Sequence, residues 1–495
     1  MKYTSENSPF IKGNLSTIGT HTLIALNGVV LIPLIVKTSG VELYGNYVLL
    51  ISTIGFIFGI SPFGVNFSCY RFLPSAKNKH EKQSLYLPQF SFHLFSIILL
   101  SLFLIAIFPW LDNLFFKGEA DLSLWLFTPY LLSYFLYAQS ADYFRYTNKL
   151  IFFNYATLAQ PYLFIMIVLS SYSVYKNIDI NLLLVSSSLA SLLVAIPLMH
   201  QLKKQIDFKL QVYSLQKLMQ DFKLGFPLTL NYIVDTIVAI GDRYVIALFL
   251  GATAVGYYTP AYVVGSLIVL FAKVSGVVLP ALMSKLVDKG DERKAEMMIN
   301  YTIKGFLLLA IPFVVGCLVF SKSILFAYTN AEIANNSYLI MPIIALGSLF
   351  YGLNIILSNV LFVRMQTVLM FRVNALVAVM NLVLNLVFLY YFKSIVIASI
   401  TTFVSYAVAF LYVMPKVNQQ WIVNFEIKLI IKTIIASLLM GIVIYGYVLI
   451  FNESINNIGT ILLGILLGFT VYGVMIFGLG AFSKSELRLL KSIIL

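Results

Sequence analysis

Apolar residues run through this chain in long blocks separated by short polar stretches. A helix that crosses a membrane needs about 20 mostly apolar residues. Fourteen stretches meet that length: 13–37, 45–68, 88–110, 122–144, 150–171, 179–200, 224–250, 254–283, 299–320, 336–362, 368–391, 394–414, 428–450 and 457–481. The pattern predicts an all-α polytopic membrane protein. Composition agrees, since 60% of the 495 residues are hydrophobic and only 11% are charged, far from the balance of a soluble domain. The opening MKYTSENSPFIKGN leads into an apolar run without a short core ending in small residues. The first stretch is therefore expected to stay in the bilayer rather than be cleaved.

The net charge of +13 raises the question of a nucleic-acid partner, and the placement of the charges answers it. An even number of spans puts both termini on one side. Of the 33 Lys and Arg, 26 fall in the loops and termini of that side, and five (Lys37, Lys117, Lys176, Lys322 and Lys393) fall on the other. By the positive-inside rule both termini are expected in the cytoplasm, and the basic excess reads as topology rather than as nucleic-acid binding. The two remaining cations, Arg243 and Lys273, lie inside predicted spans. Cys69 and Cys317 have no CxxC spacing and read as packing residues, with no disulfide framework or zinc site. No G-x4-GK-[ST] loop is present, so no P-loop is expected to supply ATP energy.

A short motif occurs twice. Gly40 to Tyr47 and Gly251 to Tyr258 both read G-x4-G-x-Y, and each follows a long helix expected to begin after a glycine, Gly13 or Gly225. Duplication would make spans 1–6 and 7–12 parallel repeats. The organisation predicted is an N-terminal lobe at 1–200, a cytoplasmic linker at 201–223, a C-terminal lobe at 224–415, and two further spans with a tail at 416–495.

Charges within a bilayer cost about 2.5–3.5 kcal/mol each on insertion scales, so Asp235, Asp242, Arg243 and Lys273 ask for a function. Asn231, Asp235 and Asp242 fall within roughly 40° on one helix, with Arg243 turned about 100° away. In the expected span 254–283, Tyr258, Tyr262, Gly265, Val269, Lys273, Gly276 and Pro280 form one stripe. Tyr130, Tyr134 and Tyr137, ending at Asp142 and Arg145, line another, and Asn374, Asn381 and Asn385 a third. The plain alternative is that the acids neutralise the cations and hold helices together, and aromatic stripes are more often packing than sugar platforms. His21 is a candidate proton site or a hydrogen-bonded core histidine. The pairs Gly55–Gly59 and Gly464–Gly468 suggest close helix contacts. No metal-ligand cluster is visible.

The segment DRYVIALFLG (Asp242–Gly251), continued by AVGYY (Ala254–Tyr258) and Ala261-Tyr262, resembles the start of the second lobe in the polysaccharide-export branch of the multidrug/oligosaccharidyl-lipid/polysaccharide exporter superfamily. LYGNY (Leu43–Tyr47) is similar to the same branch's amino-terminal pattern. The resemblance implies two six-helix lobes in a V around a central cavity, plus two C-terminal helices. It implies an O-antigen flippase type of transporter in a bacterial inner membrane, carrying an oligosaccharide on polyprenyl pyrophosphate from the cytoplasmic to the external leaflet, with no enzymatic activity. Polysaccharide polymerase and chain-length machinery would follow it, as in lipopolysaccharide assembly, with membrane lipids as surroundings and a monomer as the working unit.

On that reading Arg243, Lys273 and, near the cytoplasmic mouth, Arg145 are the cargo cations. Asp235, Asp242 and His21 balance charge or bind a coupling H+ or Na+, and Asn231, Tyr262 and Asn381 are candidate sugar contacts. No cofactor is implied. One departure stands out: precursor flippases of this superfamily often carry arginines deep in the first lobe, whereas the first two spans here hold only His21 internally. Two alternatives remain open. A drug/cation antiporter of the same superfamily would use Asp235 and Asp242, while a polymerase or glycosyltransferase would need larger external loops than this chain has.

Overall fold

Sixteen α-helices, and no strand, make up the regular structure of the described residues. A computed structural model of the chain describes residues 8–118, 122–208, 214–451 and 457–481, without the side chains of 8–18, 21, 22, 25, 26, 29, 277 and 278. The helices are α1 (Ser8–Ile60), α2 (Asn66–Phe72), α3 (Lys79–Leu111), α4 (Phe127–Tyr146), α5 (Leu150–Tyr175), α6 (Ile180–Lys203), α7 (Leu215–Leu250) and α8 (Ala252–Gly265). They continue with α9 (Val269–Asp288), α10 (Glu292–Tyr328), α11 (Ala331–Ser337), α12 (Ile340–Val363), α13 (Thr367–Phe392), α14 (Ile395–Asn418), α15 (Ile427–Ile450) and α16 (Ile458–Gly478). The chain divides into two compact units, Met1–Ile240 with Leu250–Gly256, and Gly241–Phe249 with Tyr257–Leu495.

In the first unit α4 packs on α3, α5 and α6, and α1 on α5. The first two expected spans run together as α1, which breaks at Gly40 with φ 88° and ψ 178°. Gly251, between α7 and α8, has the same φ of 88°. Only glycine adopts that region without strain, so both copies of the G-x4-G-x-Y motif use their first glycine for the same turn. The second glycines allow close approach. A Cβ on Gly45 would lie 2.0 Å from the Ala252 carbonyl oxygen, and one on Gly256 would lie 2.3 Å from that of Val41. Each copy therefore seats its glycine on the backbone of the other, within this one unit. Gly225 does not start its helix as expected. It sits inside α7 against Gly64, where its Cβ would meet the Gly64 carbonyl at 1.8 Å.

In the second unit α12 packs on α9, α10 and α14, α13 lies against α14, and α15 and α16 pair with each other and with α10. The expected span 254–283 is two helices. Between α8 and α9 the hydrogen bonds tighten to three-residue spacing, Leu267 N to Val264 O at 3.2 Å and Val269 N to Ser266 O at 3.0 Å. Gly265 sits at this break with its Cβ position 2.6 Å from the Met341 carbonyl of α12. A glycine followed by serine is a frequent site of helix kinks.

Among the described residues, eleven helices are long and apolar enough to cross a membrane by length and composition. Of the expected fourteen, the ones outside this set are 13–37, where many side chains are not described, and the polar α4 and α7. This is a multi-pass membrane protein. Loops expected on one side do meet one another within each unit. On the basic side Lys79 Nζ lies 2.6 Å from Asp207, Lys149 Nζ donates to Gln205 at 2.9 Å, and Arg364 grips Glu292 through two bonds of 3.1 and 2.8 Å. On the other side Ser39 donates to the Ile178 carbonyl at 2.8 Å, the Ser123 amide to Asn181 at 2.9 Å, and the Tyr257 hydroxyl to Glu332.

Gly59, Gly464 and Gly468 sit at tight side-chain contacts with Tyr232, Phe320 and Ile444 respectively, while Gly55 faces open space. Cys69 and Cys317 are buried and unpaired.

Candidate functional site

The charged residues of α7 that fall in the second unit are neighbours, Asp242 and Arg243, and both are buried, with 3% and 7% of their surface exposed. One Asp242 carboxylate oxygen accepts the Tyr258 hydroxyl at 2.7 Å, and the other accepts the Arg243 backbone N–H at 2.8 Å. The guanidinium lies 3.7 Å from Asp242, beyond hydrogen-bonding distance, so that contact is electrostatic. Its Cζ lies over the Tyr262 ring, 4.8 Å from the ring centre, a cation–π contact.

The aromatic lining extends from there. Tyr258 and Tyr262 are one helical turn apart on α8 with ring centres 5.6 Å apart. The Tyr262 hydroxyl is 3.4 Å from that of Tyr406 on α14, whose ring stacks on Tyr351 of α12 at 4.6 Å. Four helices thus bring one acid, one arginine and four tyrosines together. A buried ion pair survives in low dielectric only when the remaining polar groups are satisfied, and Tyr258 and the backbone amide do that for the carboxylate. The result is a guanidinium held beside a carboxylate in a buried, aromatic-walled site.

Within the second unit the structure brings Asp242, Arg243 and Tyr262 together and leaves Lys273 and Asn381 apart from them. Lys273 follows the α8–α9 break and is exposed, so the continuous stripe expected from Tyr258 to Lys273 does not form. Asn381 is buried in a bond network between α13 and α14: it donates to Thr402 at 3.0 Å and accepts from Asn385 at 3.1 Å, while Thr401 donates to Asn385 at 2.5 Å.

In the first unit, Arg145 is exposed at the end of α4 between the rings of Tyr70 and Phe153, at 5.8 and 5.3 Å. Asp235 is exposed on α7, and the shielded side-chain oxygen of Asn231 has no hydrogen-bond partner among the described residues. The His21 side chain lies outside the described residues. The tyrosines of α4 pack as a column, with Tyr130 and Tyr134 parallel at 6.3 Å and Tyr137 against Tyr134 at 5.5 Å.

Sequence reasoning missed Tyr351 and Tyr406, which only the tertiary fold brings to Tyr262. It also missed His93, buried on α3, whose Nε2 lies 2.6 Å from Ser61 Oγ and whose Nδ1 lies 2.8 Å from Gln139 Nε2. An amide nitrogen can only donate, so Nδ1 accepts and Nε2–H donates to the serine, which makes this a neutral, fully bonded histidine. The signal was present as a lone histidine in the apolar run 88–110. Among the described residues no cluster of acids, histidines or cysteines could hold a metal ion.

Comparison with known proteins agrees with this architecture. The family described as Polysaccharide biosynthesis protein matches residues 10–287, and the one described as MatE matches residues 227–387. A relative from Haloferax volcanii, the "Probable low-salt glycan biosynthesis flippase Agl15", is 27% identical over 206 residues. That stretch covers 42% of this chain and 43% of the relative, under half the length of each. Among solved structures, "Lipid II flippase MurJ, inward closed conformation" has the same fold at a TM-score of 0.72 and 20% identity, covering 94% of this chain and 98% of that one. An outward-facing multidrug resistance MATE family transporter aligns at 0.56 and 14% identity, over 83% of this chain and 94% of that one. The chain belongs to the polysaccharide biosynthesis protein family, within the multidrug/oligosaccharidyl-lipid/polysaccharide exporter superfamily.

Proposed function

We propose that this protein is a flippase that moves an oligosaccharide linked to polyprenyl pyrophosphate from the cytoplasmic to the external leaflet by alternating access. The observation that carries the reading is Arg243, a guanidinium buried within the second unit and walled by Tyr258 and Tyr262. A pyrophosphate entering a low-dielectric region loses its hydration, and a positioned arginine offsets that loss with paired N–H donors. Tyrosines offer faces for sugar rings and hydroxyls for their oxygens. Family membership and the flippases it resembles support the same class of cargo.

In this scheme the cargo phosphate replaces Asp242 as the counter-ion of Arg243, and Asp242 or Asp235 takes up H+ or Na+ on the return. Lys273 and Arg145, both exposed, are secondary attractors, and Asn231 is a sugar contact through its unpartnered oxygen. Both termini lie in the cytoplasm of a bacterial inner membrane, and the monomer is the working unit. An O-antigen or related surface-polysaccharide repeat is the cargo, handed outside to a polymerase with its chain-length machinery.

The test is reconstitution of the full chain into liposomes, with the movement of a polyprenyl-pyrophosphate oligosaccharide and the uptake of an organic cation followed in parallel. Movement of the lipid alone supports the proposal. Uptake of the cation alone would make the protein a drug antiporter of the same superfamily.

A further inference from the structure

In the second unit, α10, the start of α15 and the segment after α16 line an open cleft of about 470 Å³. Its charged lining is Lys304, Lys428 and Lys432 against a single acid, Glu426. Its walls are pinned. Asn300 of α10 donates to the Ile422 carbonyl at 3.0 Å and accepts the Asn424 amide at 2.8 Å, which fixes the connection leading into α15. Lys304 Nζ lies 3.3 Å from Glu426, and Lys432 Nζ donates to the Gly480 carbonyl at 2.8 Å. Lys428 is exposed and makes no ion pair among the described residues. α15 starts at Ile427 with no side-chain cap, which leaves its first amides open to an anion.

The cleft lies at the start of α15, where the helix sequence turns from lysine-bearing to apolar. Lys428 and Lys432 occupy its first two turns, and Ile431, Ile435, Leu438 and Ile442 form an exposed apolar face that starts beside Lys428 and runs on along the helix. Ammonium groups beside the start of an exposed apolar helix face match the two halves of an acidic lipid.

The geometry points to a binding site for the phosphate of an anionic phospholipid, with Lys304, Lys428 and Lys432 around the headgroup and the acyl chains along α15. This site is separate from the Arg243 site and does not depend on what the protein carries. A soluble phosphate has the same headgroup chemistry but no use for the apolar face, which favours the lipid.

The test is binding to the purified full chain in neutral detergent, by native mass spectrometry and by thermal midpoint. The probes are phosphatidylglycerol, phosphatidylcholine and inorganic phosphate. The expected result is saturable binding of phosphatidylglycerol that weakens about fivefold for Lys428→Gln, in line with the contribution of one lysine near an acidic lipid. Lys428→Gln removes no hydrogen bond of the fold, so its folding is secure, and adding Lys432→Gln should weaken binding further. Lys393→Gln, an exposed lysine elsewhere in this unit, should have no effect. Equal binding of phosphatidylcholine, an unchanged affinity in Lys428→Gln, or equal stabilisation by inorganic phosphate without lipid binding would each overturn the assignment. None of these readouts involves transport, so failure here is distinct from failure of the flippase reading.

Discussion

Replacing Asp242 by asparagine removes one charge from a buried pair and almost no volume. The carboxylate oxygen that accepts the Tyr258 hydroxyl at 2.7 Å can be replaced by the amide oxygen, so local packing is kept. The electrostatic contact with Arg243 at 3.7 Å is lost. Coulomb's law at that distance, with an effective dielectric of about 20, gives about 4.5 kcal/mol. Breaking one side of a buried pair costs about 3–5 kcal/mol in proteins generally, so the two figures agree.

Asp242→Asn is therefore expected to lower the thermal midpoint of the detergent-purified protein clearly. A lipid-linked pyrophosphate should then restore it more strongly than it stabilises wild type. If cargo and Asp242 compete for Arg243, removing the competitor should tighten cargo binding by about tenfold or more, equivalent to ~1.4 kcal/mol of the energy released. The assay is a thermal scan with increasing pyrophosphate lipid, for wild type and variant side by side. A variant that loses stability but gains nothing from the anion would refute the idea that Arg243 receives the cargo. An unchanged midpoint would refute the pairing itself.

Further outcomes follow from the packing and from the loop contacts. Gly45→Ala and Gly256→Ala each force a Cβ to within 2.0 and 2.3 Å of a carbonyl oxygen, so folded yield should fall in both, by the 1–3 kcal/mol typical of overpacking or more. Gly55→Ala, which meets nothing within 4 Å, should express normally. Membrane-impermeant maleimide applied to intact cells should label Asn177→Cys and spare Lys149→Cys, which flank the two ends of α5. The native Cys69 and Cys317 are buried and should stay unlabelled, and the reverse labelling pattern would invert the orientation.

The fold was legible where physics acts locally. Long apolar blocks give helices, and loops expected on one side meet in contacts such as Lys79–Asp207 and Ser39–Ile178 of the first unit. The repeated G-x4-G-x-Y could be recognised because Gly40 and Gly251 occupy a conformation other residues avoid. Reasoning failed where it extrapolated one helix through Gly265-Ser266. The backbone tightens there, and the face occupied by Tyr262 no longer predicts that of Lys273. Asn381 illustrates a different limit: a polar stripe on one helix looks the same whether it meets a ligand or the Thr402 hydroxyl of the next helix. Tyr351 and Tyr406 were unreadable because nothing in their own neighbourhoods marks them as partners of a residue on α8.

The central claim is that the buried arginine exists for the cargo and not only for its aspartate. The most direct measurement compares flipping of a polyprenyl-pyrophosphate oligosaccharide in liposomes by wild type and by the double variant Asp242→Asn/Arg243→Gln, at equal amounts of folded protein. The double variant removes both charges together and leaves no buried ion unpaired. The account predicts a folded protein whose flipping is abolished or falls by at least about tenfold, the loss expected from removing one charge-assisted contact of about 1.5–3 kcal/mol. Wild-type flipping by the double variant would contradict it and leave Asp242 and Arg243 as structural ties between helices.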